Sequence, residues 1–548
     1  MRSYDTIIAR LILASMIGIG LAGFFLFFNL FQQYGQILTL IEILILVTII
    51  ISTMFQIFKL KQERTIIYSH LDELQSSGIQ VFRKKYERLL YSRDVADLPR
   101  IARLVFNFNT LAIVQPTSHS EIRQIIQLCE KFKIPLIPRG TGTGGYGGVL
   151  PIKNGVILNL SRLNSFLEFD SKQLSIEAES GITWQRLREY LKLKGFDLPI
   201  YPSSAPSSTI GGWVSSGGYG IGSSKYGDIS QNVIGVTLIG TKGEDILFDF
   251  SPNIIGNFGS LGVIWKIKLR IIPISPIHHL VLAPNSLNNG LTIFNDLQSH
   301  TPYFMRYIDQ KNLDWISDKG KQPISDTCES SNGLIAVSYQ SEEWKSSDIT
   351  NLLKNKPIKI LSDSCAQEFW NDRFYTLRLK RKGPSLIIAE VLVPTVNLEI
   401  FLQSLNSWFK SESFTFELVS TKDKYSLVII WFPTDQRKWS IPIIGSIPFL
   451  FRWFRTFQAI RLAWKVDGTT YSNGGLWLSA FPKKENNERL VYIKQMKIKS
   501  DPNNIFNPGK ILSPRIPRFF PIVSWAFGVK VGVPILGFLY RFLPKRIR

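Results

Sequence analysis

Pro138-Arg139-Gly140-Thr141-Gly142-Thr143-Gly144-Gly145-Tyr146-Gly147-Gly148 concentrates more glycine than any other stretch of this 548-residue chain. Glycine admits positive φ and close approach of the backbone, so the run can present bare amide N–H groups to an anion. The hydroxyls of Thr141 and Thr143 add donors suited to phosphate oxygens. Gly140, Gly142 and Gly145 satisfy G-x-G-x-x-G, but a dinucleotide fingerprint must open a helix, and here Val149-Leu150-Pro151 and then the strand-like Val156 to Leu160 follow. No Gly-Lys-Ser/Thr closes the run, which excludes a Walker loop. Taken alone, the stretch fits an anion cradle and a flexible surface turn equally.

A second small, hydroxylated run decides between them. Ser207-Ser208-Thr209-Ile210-Gly211-Gly212 is followed by Ser215-Ser216-Gly217-Gly218-Tyr219-Gly220 and Ser224-Lys225-Tyr226-Gly227. Together the two runs resemble the FAD-binding domain of the para-cresol methylhydroxylase and vanillyl-alcohol oxidase type. That family includes membrane D-lactate dehydrogenases, glycolate oxidase subunits, the ether-lipid alkyl synthase and the sterol side-chain reductase. The resemblance runs from Leu111 to Pro273, with a further short match from Asp501 to Leu512. It implies an α+β fold, with a two-subdomain FAD-binding domain and an antiparallel α+β cap domain. It also assigns Arg139, Gly140, Thr141, Gly142 and Thr143 to the cofactor phosphates. Ser208, Thr209, Gly211, Gly212, Ser215 and Gly218 pass the ribityl chain and ring, where only small side chains fit. A backbone contact from Val263 and a flavin-edge contact from Asn507 complete the set. An acidic residue common in the family is replaced here by Asn257 or Phe258. Neither glycine run contains the histidine or cysteine that covalent attachment needs, so FAD is expected to be bound non-covalently.

Local patterning supports the same layout. Leu111 to Val114 reads as a strand, Ser118-His119-Ser120-Glu121 is a capping box that starts a helix toward Lys133, and Ile134 to Ile137 is the strand that delivers the glycine loop. Leu174 to Ala178, Val233 to Ile239 and Asp245 to Phe248 read as further strands, with Thr183 to Leu193 as a helix. His119, at a helix start, reads as an exposed imidazole and not a catalytic one.

Beyond Pro276 the apolar, β-prone segments Gly333 to Tyr339, Leu386 to Val393 and Leu427 to Trp431 suggest the cap's antiparallel sheet. Two segments there are candidates for chemistry. In Phe369 to Phe374, Arg373 suits a carboxylate or phosphate; in Thr470 to Trp477, Tyr471 suits proton donation or acceptance beside flavin N5. An ion-paired arginine and a packing tyrosine are the competing readings. The five histidines end at His300, and His278-His279 reads as linker, so no metal site is expected and a metal-assisted hydroxyacid mechanism is disfavoured.

Composition adds a partner. The net charge of +22 calls for an anionic surface, and no zinc-finger, helix-turn-helix or RNA-binding motif makes that surface nucleic acid. Cys129, Cys328 and Cys365 suggest neither a disulfide framework nor a metal site, which fits a reducing compartment. Ile7 to Phe31 and Ile37 to Phe58 are each long enough to span a bilayer, and the Lys/Arg distribution places the remainder in the cytoplasm. Ile441 to Val466 and the tail from Arg515 mix aromatics with Arg and Lys, as headgroup-layer elements do; a third transmembrane helix is the rival for the tail. The domain expectation is a transmembrane hairpin (1–61), a helical connector (62–109), an FAD-binding domain (110–276), a cap (277–513) and a basic amphipathic tail (514–548). The protein is expected to be a multi-pass, membrane-anchored FAD-dependent oxidoreductase. It would move hydride between a small-molecule or lipid substrate and flavin N5 and pass electrons to a quinone or other acceptor. A flavin-dependent reductase of an isoprenoid or sterol-like lipid and a non-catalytic flavin-binding scaffold remain alternatives.

Overall fold

The computed structural model describes residues 35–95, 97, 110–145, 147–249, 252–319, 328, 330–341, 343–344, 346–381, 383, 385–409, 414–435, 449, 452, 455–471 and 487–510. The first apolar run, Tyr146, Trp453, Phe454, residues 472–477 and the chain from 511 onward lie outside these.

The glycine loop hangs from a small sheet. Strands β2 (Ala112–Gln115), β3 (Leu136–Arg139) and β4 (Val156–Asn159) are parallel, with β4 between the other two, and β1 (Gln80–Phe82) pairs antiparallel with β2. The intervening helix α1 (His119–Lys131) begins where the capping signal puts it: the Ser118 hydroxyl accepts the Glu121 N–H, and the Glu121 carboxylate accepts the Thr117 N–H at 2.7 Å. Its apolar stripe, Ile122, Ile125, Ile126 and Cys129, is buried on the sheet. A second sheet, in the order β5 (Phe166–Asp170), β6 (Ser175–Glu179), β10 (Val263–Arg270), β8 (Val233–Ile239), β9 (Asp245–Asp249), carries the second glycine run on its flank. A two-residue ribbon, β7 (Phe196–Asp197) with β11 (Ile272–Pro273), closes this unit.

The cap is an eight-stranded antiparallel sheet. Its central strands are β13 (Phe304–Ile308), β17 (Thr415–Ser420), β18 (Tyr425–Thr434) and β16 (Ser385–Pro394), and the short β19 (Thr469–Thr470) forms one edge. Strand periodicity divides each of these between two environments. Met305, Tyr307, Leu418, Val428, Ile430, Ala389 and Val391 enter one core with the helices Leu398–Trp408 and Arg455–Trp464. The alternating residues Arg306, Glu417, Val419, Leu427, Ile429 and Glu390 line a cleft against the glycine runs.

Four expectations are corrected. Among the described residues no helix is long and apolar enough to cross a membrane, so the multi-pass assignment does not hold. Ile37 to Phe58 is not a separate span: it lies within one 42-residue helix, Gly35–Ser76, which runs on through Lys59, Lys61 and Arg64 to bury Ile67, Leu71 and Leu74 in the first unit. Likewise, the described half of Ile441 to Val466 is not a surface element, because Phe449, Phe457, Ile460 and Leu462 are buried in the cap core. Finally, Cys328 and Cys365 form a disulfide across 37 residues, and Cys129 is buried and free. His278 and His279 lie in a cap strand, Ile277–Pro284, and His279 stacks on Trp370 at 4.5 Å.

Candidate active site and cofactor cleft

Four of the loop's carbonyls are held by donors of the protein. Arg139 donates to Thr141 O at 3.2 Å, Val95 N–H to Gly144 O at 3.0 Å, Lys510 Nζ to Gly147 O, and Asn507 Nδ2 to Gly148 O at 3.2 Å. The amides of Thr141, Gly142, Thr143, Gly144 and Gly145 donate to no protein acceptor among the described residues, although these residues line the cleft. Amides left without partners beside a cavity form an anion-binding nest. Gly142 needs its φ of +74° to turn the loop there.

The second run closes onto the first. Thr209 caps the helix Ile210–Ser216, its hydroxyl accepting the Gly212 N–H. A Cβ on Gly211 would sit 2.6 Å from Ser180 Cβ, and one on Gly140 would strike Thr209 Oγ1. Ser180 and Ser208 hold buried side-chain hydroxyls that no group among the described residues satisfies, and both line the cleft. A nest of amides, two unsatisfied hydroxyls and walls of glycine and serine fit a ligand with a pyrophosphate, a polyol and a flat ring.

Of the expected cofactor residues, Arg139, Gly140, Thr141, Gly142, Thr143, Ser208, Thr209, Gly211, Gly212 and Ser215 line this one cleft. Gly218 adjoins it, where a Cβ would fall on the Tyr471 hydroxyl. Two do not line it. Val263 is wholly buried in the core, and its neighbours Gly262 and Ile264 face the cleft instead. Asn507 sits behind the loop, its amide joining Gly148 O to Phe258 O (2.6 Å). Arg139 lines the cleft, yet its guanidinium is occupied by Tyr91 O, Arg93 O and Thr141 O, and burial pulls its pKa down. Within the described residues, no histidine or cysteine lines the cleft and no cluster of His, Cys, Asp or Glu is placed to hold a metal.

Both candidate catalytic residues reach the same cleft. Arg373 lies between Trp370 and Phe374, at 4.1 and 4.2 Å from the ring centroids, and donates from Nε to Tyr201 Oη (3.3 Å) and from Nη1 to Trp370 O (2.6 Å). It has no carboxylate partner among the described residues. The Tyr471 hydroxyl accepts the Tyr219 N–H at 2.8 Å and donates to Tyr219 O at 3.4 Å, and burial pushes its pKa well up. Val391 pairs with Thr470 in antiparallel register, so Glu390 stands opposite Tyr471. Arg306, Glu390 and Glu417 escaped the sequence reading. Their available signal was a charge inside an otherwise apolar strand, Phe-Met-Arg-Tyr-Ile, Ile-Ala-Glu-Val or Phe-Glu-Leu-Val.

The comparisons with known proteins agree with this geometry. The sequence profile of the FAD binding domain matches residues 110–246. D-2-hydroxyglutarate dehydrogenase of Arabidopsis thaliana is 30% identical over 431 residues, 72% of this chain and 74% of that one. The glycolate oxidase subunit GlcD of Bacillus subtilis is 26% identical over 450 residues, 75% of this chain and 92% of that one. Among solved structures, p-cresol methylhydroxylase with bound substrate superposes with a TM-score of 0.65 at 13% identity, covering 79% of this chain and 94% of that one. Amide nest, serine-lined channel and cap thus meet in one conclusion: the chain belongs to the FAD-binding oxidoreductases of the para-cresol methylhydroxylase and vanillyl-alcohol oxidase type and is an FAD-dependent enzyme.

Proposed function

We propose that the protein oxidises a 2-hydroxy acid and passes the electrons to a second acceptor, a quinone being one candidate. The observation that carries this reading is Arg373, a guanidinium on the cleft with neither a carboxylate partner nor a hydrogen bond from Nη2 among the described residues. A planar, permanently charged donor held between two aromatic rings suits a substrate carboxylate. The two relatives named above act, by their names, on glycolate and D-2-hydroxyglutarate, both 2-hydroxy acids.

The amides of Thr141 to Gly145 with Ser180 and Ser208 would hold FAD, which when bound would supply the hydride acceptor. The chain's own groups do the rest. Arg373 fixes the carboxylate and so orients the adjacent carbinol carbon. Tyr471 stays protonated, because burial disfavours its phenolate, and its O–H, held only by a long 3.4 Å bond to Tyr219 O, turns to donate to the substrate oxygen and does not act as a base. Glu390, opposite it on the same face, takes the proton from the substrate hydroxyl. Arg139 braces the nest through Thr141 O, and Ile429, Leu427 and Val419 exclude water from the sheet side.

Arg373→Met tests the assignment, using anaerobic loss of flavin absorbance with D-lactate. A rise in KM of about 100-fold, as expected for a lost charged hydrogen-bonding partner, is the predicted result, with FAD content unchanged. An unaltered KM removes Arg373 from the substrate site. Bleaching by NADPH and by no hydroxy acid points instead to the lipid-reductase reading.

A further inference from the structure

The cap wall has a second polar feature beyond Arg373. Arg306 on β13 and Glu417 on β17 are each only 4% exposed, and both line the cleft. Arg306 pairs with Val419 and Ile308 with Glu417, so the two charges lie diagonally on one face. Behind them Asp372 stands 3.5 Å from Arg306 and is ion-paired with Arg378. Asn312 donates to Glu417 at 3.1 Å, and Arg306 Nη2 donates to Phe369 O at 3.3 Å. The group thus holds two guanidiniums and two carboxylates. Burial raises Glu417 and lowers Arg306, and each opposes the other's shift.

Arg306 Nε is buried and satisfied by no group among the described residues. An unfilled N–H donor beside a carboxylate acceptor matches one chemical group above others, a hydroxyl, which accepts from the first and donates to the second. A second carboxylate on the substrate would meet Glu417 across a buried, already compensated site, where like charges are costly. We infer that Arg306 and Glu417 read the tail of the substrate, so that the enzyme takes a 2-hydroxy monocarboxylate with a hydroxyl-bearing tail and discriminates against a dicarboxylate. This rests on the hydroxy-acid reading above, with Arg373 holding the single carboxylate.

Three acids that differ only in the tail test it: D-glycerate (hydroxymethyl), D-lactate (methyl) and D-2-hydroxyglutarate (carboxyethyl). Rates of flavin reduction and the ligand-induced change in the spectrum of the oxidised flavin are both read. The wild-type protein is expected to prefer glycerate over lactate by about 10-fold and to bind hydroxyglutarate weakest. In Glu417→Gln, which keeps the shape and the Asn312 neighbour, the hydroxyglutarate-to-glycerate ratio is expected to rise at least about 10-fold, because Arg306 is left partly uncompensated. A wild-type preference for hydroxyglutarate overturns the inference without any variant, and so does an unchanged ratio in a Glu417→Gln protein that retains its FAD. If none of the three acids reduces the flavin or perturbs its spectrum, the hydroxy-acid reading itself falls.

Discussion

Replacing Asn507 by alanine tests whether the closing motif holds the cofactor loop. The side chain is 2% exposed, and its amide donates to Gly148 O at 3.2 Å and Phe258 O at 2.6 Å, tying the glycine loop to the turn beyond it. Each lost bond is worth about 1 kcal/mol net, and the abandoned carbonyls are buried. Asn507 also has φ of +36°, where alanine adds about 1 kcal/mol of strain. The total is about 3 kcal/mol. The part that reaches the nest is the pair of bonds, about 2 kcal/mol, which corresponds to roughly 30-fold weaker FAD binding if the loop is released. Asn504→Ala isolates the strain, since Asn504 has φ of +53°, is exposed and makes no side-chain hydrogen bond among the described residues. Urea unfolding of the apoprotein and FAD titration by fluorescence quenching are measured on both variants. An FAD affinity in Asn507→Ala within twofold of that in Asn504→Ala would refute the bracing argument.

Gly211→Ala places a methyl 2.6 Å from Ser180 Cβ and 2.9 Å from its carbonyl, so about 1–3 kcal/mol of stability should be lost, read as a lower thermal midpoint; an unshifted midpoint would show that the two runs have room to part. Burial lowers Lys510 to about 7, whereas in the unfolded chain it holds its proton to about pH 10.4, so its contribution makes stability rise with pH between these values. Lys510→Met should abolish that rise in the urea midpoint. Burial raises Asp309 to about 7, so the folded chain holds an extra proton between about pH 4 and 7 and its contribution is lost as pH increases through that range; Asp309→Asn should flatten this limb.

The parts of the fold legible in the sequence were those fixed by local chemistry. The Ser118 cap, the Thr183 start of the helix Trp184–Lys192 and the strand Val233–Ile239 follow from capping residues and apolar patterning. The nest was legible because glycine density is a local signal. Its bracing was not, since Tyr91, Arg93 and Val95 act through backbone groups that no motif records. Arg306 and Glu417 acquire meaning only when β13 and β17 pair, and the Cys328–Cys365 bond likewise needs the tertiary fold. The membrane expectation failed at Ile37 to Phe58 because hydropathy counts apolar residues and does not see that their helix continues into a folded unit.

The braces behind the nest come from far apart in the chain: Val95 precedes the loop, while Asn507 and Lys510 follow it by 359 and 363 residues. Phe506 also pairs as a short parallel bridge with Leu136, beside the strand that delivers the loop. Contacts of such long sequence separation form late, because their loop-closure entropy must be overcome before they are rewarded. On the ribosome, the glycine run emerges hundreds of residues before the segment that sets its carbonyls. A nascent chain halted before Asn507 therefore has both glycine runs and most of the cap, but lacks the bonds that Asn507 and Lys510 make to the loop.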